Sequence, residues 1–593
     1  MSCFDYPVDS QTILLKKRAL RKELLQKEGL VDKKIAILSG STVGQIRPVL
    51  ELFLLHHGIR PTFWEGGYHL YYEDIVFGNE ELKAFAPDLI YIHTSNRNLE
   101  NRPSVYDSDE AAAAKLSAEC ARWQGLWDAA LANFHCPVVQ NNFELPTLRV
   151  MGNADAVMAQ GQVRFVNELN RTAADYAAAH TGFYVQDINW LASVHGLDQW
   201  CDESSWCLYK YALNPELIPE LCANLANIIK SVFGRNKKAL ALDCDNTLWG
   251  GVIGDDGVQG IHLGLEDAGG MAYSAFQSYL KEVAGLGVLL NICSKNEEHI
   301  AREGFNRAES VLKNEDFIAF MANWNPKSQN LQAMAQQLNI GLTDIVFVDD
   351  NPAEREQVRA ALHGMPVPEL TGPEVYARAL DRSGYFEVTT FSKDDRGRNQ
   401  MYKENVQRAA AQQQFADYSD YLRSLEMTAQ ITPFAPEFLA RTTQLINKTN
   451  QFNLTTRRYT EDEVRACMED ENCVTLCGRL QDKFGDNGLV SVIIGRKIGD
   501  ALEVELWIMS CRVFKRDLEL AMFDALAAAA AKLGCSRITG SWLRTAKNAL
   551  VRDFYPSLGF EVTQDGENER YFALNIEQLP EEKNKVIAVQ PNQ

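Results

Sequence analysis

A short apolar run, Lys238-Ala-Leu-Ala-Leu242, ends abruptly in Asp243-Cys-Asp-Asn-Thr247. The run reads as a buried strand. The stretch after it, Leu248-Trp-Gly-Gly-Val-Ile-Gly-Asp-Asp-Gly257, has too much glycine to extend the strand or to start a long helix. Two carboxylates and a hydroxyl therefore leave the end of a strand together. In an open α/β sheet that end is where ligands bind. The spacing suits phosphoryl transfer. Asp243 is placed to attack phosphorus and form an aspartyl-phosphate. Asp245, two residues on, is placed to protonate the leaving group and then activate water. Carboxylates beside a phosphate repel it, so a divalent cation is required, and Mg2+ prefers oxygen ligands. A strand-end turn in which the aspartates only cap loops is the competing reading.

Three later stretches bear on that choice. Gly287-Val-Leu-Leu-Asn-Ile-Cys-Ser294 is a second apolar strand ending in a hydroxyl, followed by Lys295-Asn296. Lys327 lies in Asn325-Pro-Lys-Ser328, at the expected start of a helix. Asp344-Ile-Val-Phe-Val-Asp349-Asp350-Asn-Pro is a third strand, ending in two acids. Hydroxyl, lysine and acid pair in this order resemble the haloacid dehalogenase superfamily of phosphatases and phosphotransferases. The resemblance implies that Ser294 holds a phosphate oxygen, that Lys327 balances charge and that Asp349 ligates Mg2+. Asp350 would ligate or orient a metal-bound water. The expected metal set is Asp243, Asp245, Asp349 and Asp350, with Thr247 and Asn296 as substrate-binding candidates. Between the first two motifs, residues 258–285 have room for one or two helices but not for a large cap.

At 593 residues the chain needs several cores. The expected fold is α/β multidomain. An N-terminal helix covers 1–30, an α/β domain 31–235, a Rossmann-like phosphatase domain 236–380 and a helical linker 381–430. An α+β domain at 431–580 and a tail at 581–593 complete it. The net charge of −20 argues against a nucleic-acid partner. No run of 18 apolar residues and no signal peptide is seen, so no membrane partner is expected. Thirteen scattered cysteines suit a reduced, cytoplasmic protein.

In the first domain, residues 10–28 read as a helix with Leu14, Leu15, Leu20, Leu24 and Leu25 on one face. Strands and helices then alternate, which predicts a parallel sheet. Ser41, after a strand and before a helix, resembles the nucleophile of the SGNH esterases, with Asn142 as an oxyanion donor. Gly40 stands where that family has Asp, and the late Asp-x-x-His is not evident. His93, at a strand end, reads as a structural histidine. Residues 392–430 read as a solvated connecting helix. Ile446 to Thr456 is dense in side-chain amides, and either lines a polar site or forms a helix end followed by an extended strand.

Asp486-Asn-Gly-Leu-Val-Ser-Val-Ile-Ile494 reads as a tight turn into a hairpin strand. With the alanine-rich helix 518–533 and Phe554-Tyr-Pro-Ser-Leu-Gly-Phe560, this part resembles the acyl-CoA N-acyltransferase (GNAT) fold. The resemblance places Asn548 and Tyr555 against a cofactor. The pyrophosphate loop would be Arg512-Val-Phe-Lys515-Arg516-Asp517, which has no glycine; Lys515 and Arg516 would have to hold phosphate by charge. A carrier-borne phosphopantetheine arm asks less of such a loop than acyl-CoA does.

Taken together, the parts resemble the FkbH-like family over about 30–575. That family implies removal of phosphate from 1,3-bisphosphoglycerate and loading of the glyceryl group onto an acyl carrier protein, in polyketide and related pathways. Acyl transfer would use a thiol, with Cys511, Cys244 and Cys293 as candidates. A small-molecule phosphatase with outer binding modules is the alternative.

Overall fold

The computed structural model describes residues 2–391, 393–412, 414–449, 451–510, 513–545, 548–576 and 582–590. It divides into two compact units, Met1–Arg235 with Arg382–Thr389, and Asn236–Asp381 with Thr390–Gln593.

The first unit is built on a parallel sheet of β1 (Val31–Ser39), β2 (Ile59–Glu65), β3 (Leu89–His93), β4 (Val138–Asn141) and β5 (Phe183–Gln186), in the order β2-β1-β3-β4-β5. Alternation along β1 explains the layering. Ile35 and Ile37 join one core with helices Ser10–Leu24, Ile46–His56 and Ile218–Val232. Ala36 and Leu38 join the opposite core, with Trp123 and Trp127 of helix Asp109–Phe134. In the first helix Ile13 and Leu24 are buried, but Leu15 is 77% exposed. Non-helical backbone at Lys16 (φ −108°, ψ 17°) shifts the apolar face there, so the expected leucine stripe is not continuous.

The second unit holds two sheets. The central one is parallel, in the order β8-β7-β6-β9, where β6 is Ala239–Leu242, β7 Leu289–Ser294, β8 Phe317–Ala322 and β9 Ile345–Val348. Between β6 and β7 the chain forms only helices Ile253–Gly260 and Ala268–Gly285, so no cap domain stands there.

The C-terminal sheet contains β10 (Thr428–Thr432), β11 (Phe452–Asn453), β12 (Cys473–Asp482), β13 (Gly485–Ile498), β14 (Ala501–Met509), β15 (Arg537–Leu543), β16 (Glu561–Asp565), β17 (Glu569–Asn575) and β18 (Ala588–Gln590). Its order is β16-β17-β15-β14-β13-β12-β10-β18, with β11 added to β14. Helix Leu518–Lys532 covers one face and helices Leu439–Lys448 and Glu461–Glu469 the other. The architecture is α/β multidomain with parallel sheets and a C-terminal α+β part, as expected.

Two local expectations are corrected. The hairpin turns at Lys483-Phe484 and not at Asp486-Asn-Gly, because the Asp482 carboxylate accepts from Phe484 N (2.9 Å) and Gly485 N (3.2 Å). Helix Lys393–Gln412 is not a solvated linker. Met401, Tyr402 and Arg408 are all buried, Tyr402 within the central core. The amide-dense stretch resolves into a helix ending at Lys448 and the short strand β11.

Candidate functional site

Parallel pairing brings the expected chemistry together. β6 lies between β7 and β9, with Leu242 opposite both Ile292 and Val348. Asp243 and Asp349 therefore leave neighbouring strands side by side, and Asp243 N donates to Val348 O (2.9 Å). Carboxylate oxygens of Asp243, Asp349 and Asp350 lie within 4.8 Å of one another. Lys327 opens helix Lys327–Leu338, and its Nζ reaches Asp349 Oδ2 at 2.5 Å and Asp243 Oδ1 at 3.1 Å. The Ser294 hydroxyl, at the end of β7, is buried and has no well-formed hydrogen bond among the described residues, its one polar neighbour being the weakly accepting Cys244 sulfur.

The electrostatics are unbalanced. Three carboxylates face one ammonium, and two like charges about 4 Å apart cost roughly 4 kcal/mol at an effective dielectric near 20. Burial, then the Asp243 charge, pushes the Asp349 carboxyl up to about 6. The same two causes raise Asp350. Burial works against the Lys327 ammonium, but Asp243 and Asp349 outweigh it and hold its pKa above the usual lysine value. A cluster of hard oxygen donors with surplus negative charge fits a divalent cation. An orphaned buried hydroxyl, which costs about 1–3 kcal/mol, fits an absent oxyanion.

Asp245 departs from the expected metal set. Its Oδ1 accepts from Trp249 Nε1 (2.9 Å) and Ile253 N (3.0 Å), and its Oδ2 from Asn296 Nδ2 (3.2 Å). The left-handed turn at Asn246 (φ 54°) carries the chain back so that this carboxylate faces its own loop. Its carboxyl is nonetheless raised by burial. Asn296 thus positions Asp245. Thr247 is fully buried; its hydroxyl donates to Asp350 Oδ1 (3.3 Å) and accepts from Asp350 N (3.1 Å). It ties the two acidic loops together and leaves no group for a substrate. Sequence reading missed Arg355, whose Nη1 donates to the carbonyls of both Asp349 (2.8 Å) and Asp350 (2.7 Å). A cation five residues after Asp350, on the following helix, was the available signal.

The thiol candidates fare differently. Cys244 and Cys293 are fully buried, and burial pushes both thiols well up, away from the reactive thiolate. Cys511 lies outside the described residues. Neither C-terminal candidate faces a cleft. Asn548 is buried, its Oδ1 accepting from Thr545 N (2.8 Å) and its Nδ2 donating to Asn453 O (3.0 Å) and Leu543 O (2.8 Å). Tyr555 is 1% exposed, and its hydroxyl lies 2.5 Å from where a side chain at Gly540 would begin. Arg516 is turned inward to Asp482 (3.0 Å), which removes it from phosphate.

In the N-terminal unit Ser41 is buried, and its Oγ has no partner among the described residues. Asn142 is no oxyanion donor, because it donates to Asp187 Oδ1 (2.7 Å) and accepts from Asn189 N (3.1 Å). A side chain at Gly40 would meet Asn98 at 2.1 Å, which excludes the aspartate of the esterase pattern. His93 is held at Nδ1 by Tyr91 and Asn141, and burial pushes it down to about 4, so it is neutral. Asp187 follows the last strand, but Trp190 stands three residues on, with no histidine there.

Glu144, after β4, is fully buried, and burial pushes its carboxyl up to about 7. The folded state holds this proton to higher pH than the unfolded chain. The contribution to stability is therefore full below about pH 4.5 and is lost as pH rises through about 7. Relative to Glu144→Gln, the native N-terminal unit is expected to lose on the order of 3 kcal/mol between about pH 5 and 8. Melting both proteins at the two pH values checks this; parallel pH profiles would show that Glu144 is ionised throughout.

No family model matches the chain, and no curated protein matches it. Among solved structures it is similar to the N-terminal part of the protein BF1531 from Bacteroides fragilis, described as containing a phosphatase domain complexed with Mg. The two share 26% identity at a TM-score of 0.58, over 63% of this chain and 99% of that one. Shorter matches are the ribosomal-protein-S18-alanine N-acetyltransferase from Escherichia coli (15% identity, 27% of this chain and 99% of that one, TM-score 0.21) and Ard1 from Thermoplasma volcanium (16%, 25% and 97%, TM-score 0.20).

Proposed function

We propose that the central site is a Mg2+-dependent phosphatase site working through an aspartyl-phosphate. The observation that carries this reading is the convergence of Asp243, Asp349 and Asp350 around Lys327, beside the orphaned Ser294 hydroxyl. The Mg-bound phosphatase domain of the similar BF1531 structure supports it. Asp243, Asp349 and Asp350 would hold Mg2+, which would supply positive charge next to the phosphoryl group. An Asp243 oxygen attacks phosphorus, and the bond to the leaving-group oxygen breaks. Asp245, whose carboxyl burial raises, turns from its loop contacts with Trp249, Ile253 and Asn296 to give a proton to that oxygen. Asp245 then takes a proton from the water that hydrolyses the aspartyl-phosphate, which frees Asp243 and phosphate. Ser294 donates to a phosphoryl oxygen, and Lys327 offsets the charge that gathers there.

The finer reading follows from the FkbH-like resemblance. The substrate is a phosphorylated acyl compound such as 1,3-bisphosphoglycerate. The carrier's thiol attacks the acyl carbon and expels the C1 phosphate, Asp243 takes the C3 phosphate from its ester oxygen, and the glyceryl group is left on an acyl carrier protein in a cytoplasmic biosynthetic pathway. A specific observation favours the plainer alternative, a small-molecule phosphatase. Both thiols beside the central site are buried and protonated, and Asn548 and Tyr555 are committed to the core.

One experiment separates the two. The protein is incubated with Mg2+, 1,3-bisphosphoglycerate and carrier proteins bearing a free phosphopantetheine thiol, and intact masses are read. A glyceryl mass on a carrier supports acyl transfer; phosphate release with unmodified carrier supports the phosphatase alone. In either case EDTA is expected to reduce phosphate release to the rate seen without enzyme and excess Mg2+ to restore it. Release that ignores EDTA would remove the metal from the reading.

A further inference from the structure

In the C-terminal sheet, β14 and β15 run parallel between antiparallel neighbours. They pair only from Ala501 opposite Arg537 to Val504 opposite Gly540. Beyond that the strands part, although β14 continues to Met509 and β15 to Leu543. Diverging strands present backbone N–H and C=O groups that need partners. An extended arm carrying amides supplies them by strand addition. The pantetheine arm of an acyl-CoA is such an arm, and that is the cofactor implied by the acyltransferase resemblance.

The gap, however, is filled by the chain itself. On the β14 side Phe452 lies opposite Met509 and Asn453 opposite Ile508. Leu454 N donates to Trp507 O (3.4 Å), and the Thr455 hydroxyl to Glu505 O (2.8 Å). On the β15 side Leu543 N donates to Leu454 O (2.8 Å). Asn548 closes the join by donating to both Asn453 O and Leu543 O. Phe452 is 5% exposed, Asn453 and Leu454 are fully buried, and the Phe452 ring packs on Phe554 at 4.8 Å and Phe514 at 5.6 Å. The helix that would receive the cofactor's phosphates, Leu518–Lys532, begins with Asp517 and Glu519, while Arg516 is buried against Asp482.

We infer that residues 452–455 are a built-in strand that permanently closes the arm-binding gap, so the C-terminal unit takes neither acyl-CoA nor a carrier-borne pantetheine arm between β14 and β15. The inference does not rest on the phosphatase reading.

The test uses the full-length protein. Hydrogen exchange is followed by mass spectrometry in peptides covering 451–456, 505–510 and 541–545, with and without about 1 mM acetyl-CoA, CoA or pantetheine. The amides of 452–455 are expected to exchange at least about 100-fold slower than unstructured chain, as those of a packed strand do. None of the three additives should change that rate. Exchange as fast as unstructured chain, or altered by any of the three additives, would overturn the inference. Binding seen by calorimetry without a change in these peptides would place the ligand elsewhere and leave the closed gap supported. Phosphate release measured on the same sample reports on the central site separately.

Discussion

Asp243→Asn is expected to abolish Mg2+-dependent phosphate release, a loss of at least about four orders of magnitude, as when a nucleophile is removed from a covalent mechanism. The amide is a poor nucleophile but nearly the same shape. Asp243 sits among like charges, and its charge is one cause of the raised Asp349 and Asp350 carboxyls. Removing that charge relieves repulsion, so the metal-free variant should melt no lower than the native protein. Activity lost together with stability would point to a structural role for Asp243. Activity retained would move the nucleophile to another carboxylate of the cluster, with Asp349→Asn as the next variant.

The residues legible in the sequence share a local rule. Asp243, Ser294 and Asp349 each end or follow an apolar run, and Lys327 starts a helix after Pro326. Parallel topology then gathers strand ends at one edge without further information. What was not legible depends on where a side chain turns after its strand ends. Asp245 has the spacing of a metal ligand, yet the turn at Asn246 and the indole of Trp249 draw it away. Thr247 and Asn296 read as substrate contacts but spend their hydrogen bonds on Asp350 and Asp245. In the C-terminal part the order of elements was readable. The fate of Asn548 was not, because its partners Asn453 and Leu543 come from a segment about 95 residues earlier and from the strand just before it. Asp486-Asn-Gly has the composition of a hairpin turn, but the carboxylate of Asp482 fixes the turn three residues sooner.

Asp482→Ala is expected to destabilise the second unit by about 3–5 kcal/mol, the usual result of stripping a buried charge of its partner. Arg408, 2% exposed, grips this carboxylate with two bonds, Nε to Oδ2 at 2.7 Å and Nη2 to Oδ1 at 2.8 Å. Arg516 adds a third from Nη1 at 3.0 Å, and burial followed by repulsion from Arg408 pushes that guanidinium down to about 10. Without the carboxylate two buried cations face each other, and the 482–485 turn loses the acceptor that shapes it. Since Arg408 lies on helix Lys393–Gln412, whose Tyr402 packs in the central core, the damage should extend beyond the C-terminal sheet. Asp420→Ala is the control. Its pair with Arg423 is exposed on both sides, 69% and 64%, and such pairs contribute about 0–1 kcal/mol. Calorimetry of the two variants should show a large drop for the first and almost none for the second. Equal, small effects would mean that solvent, or the Glu404 carboxylate 3.6 Å from Arg408, replaces the missing carboxylate.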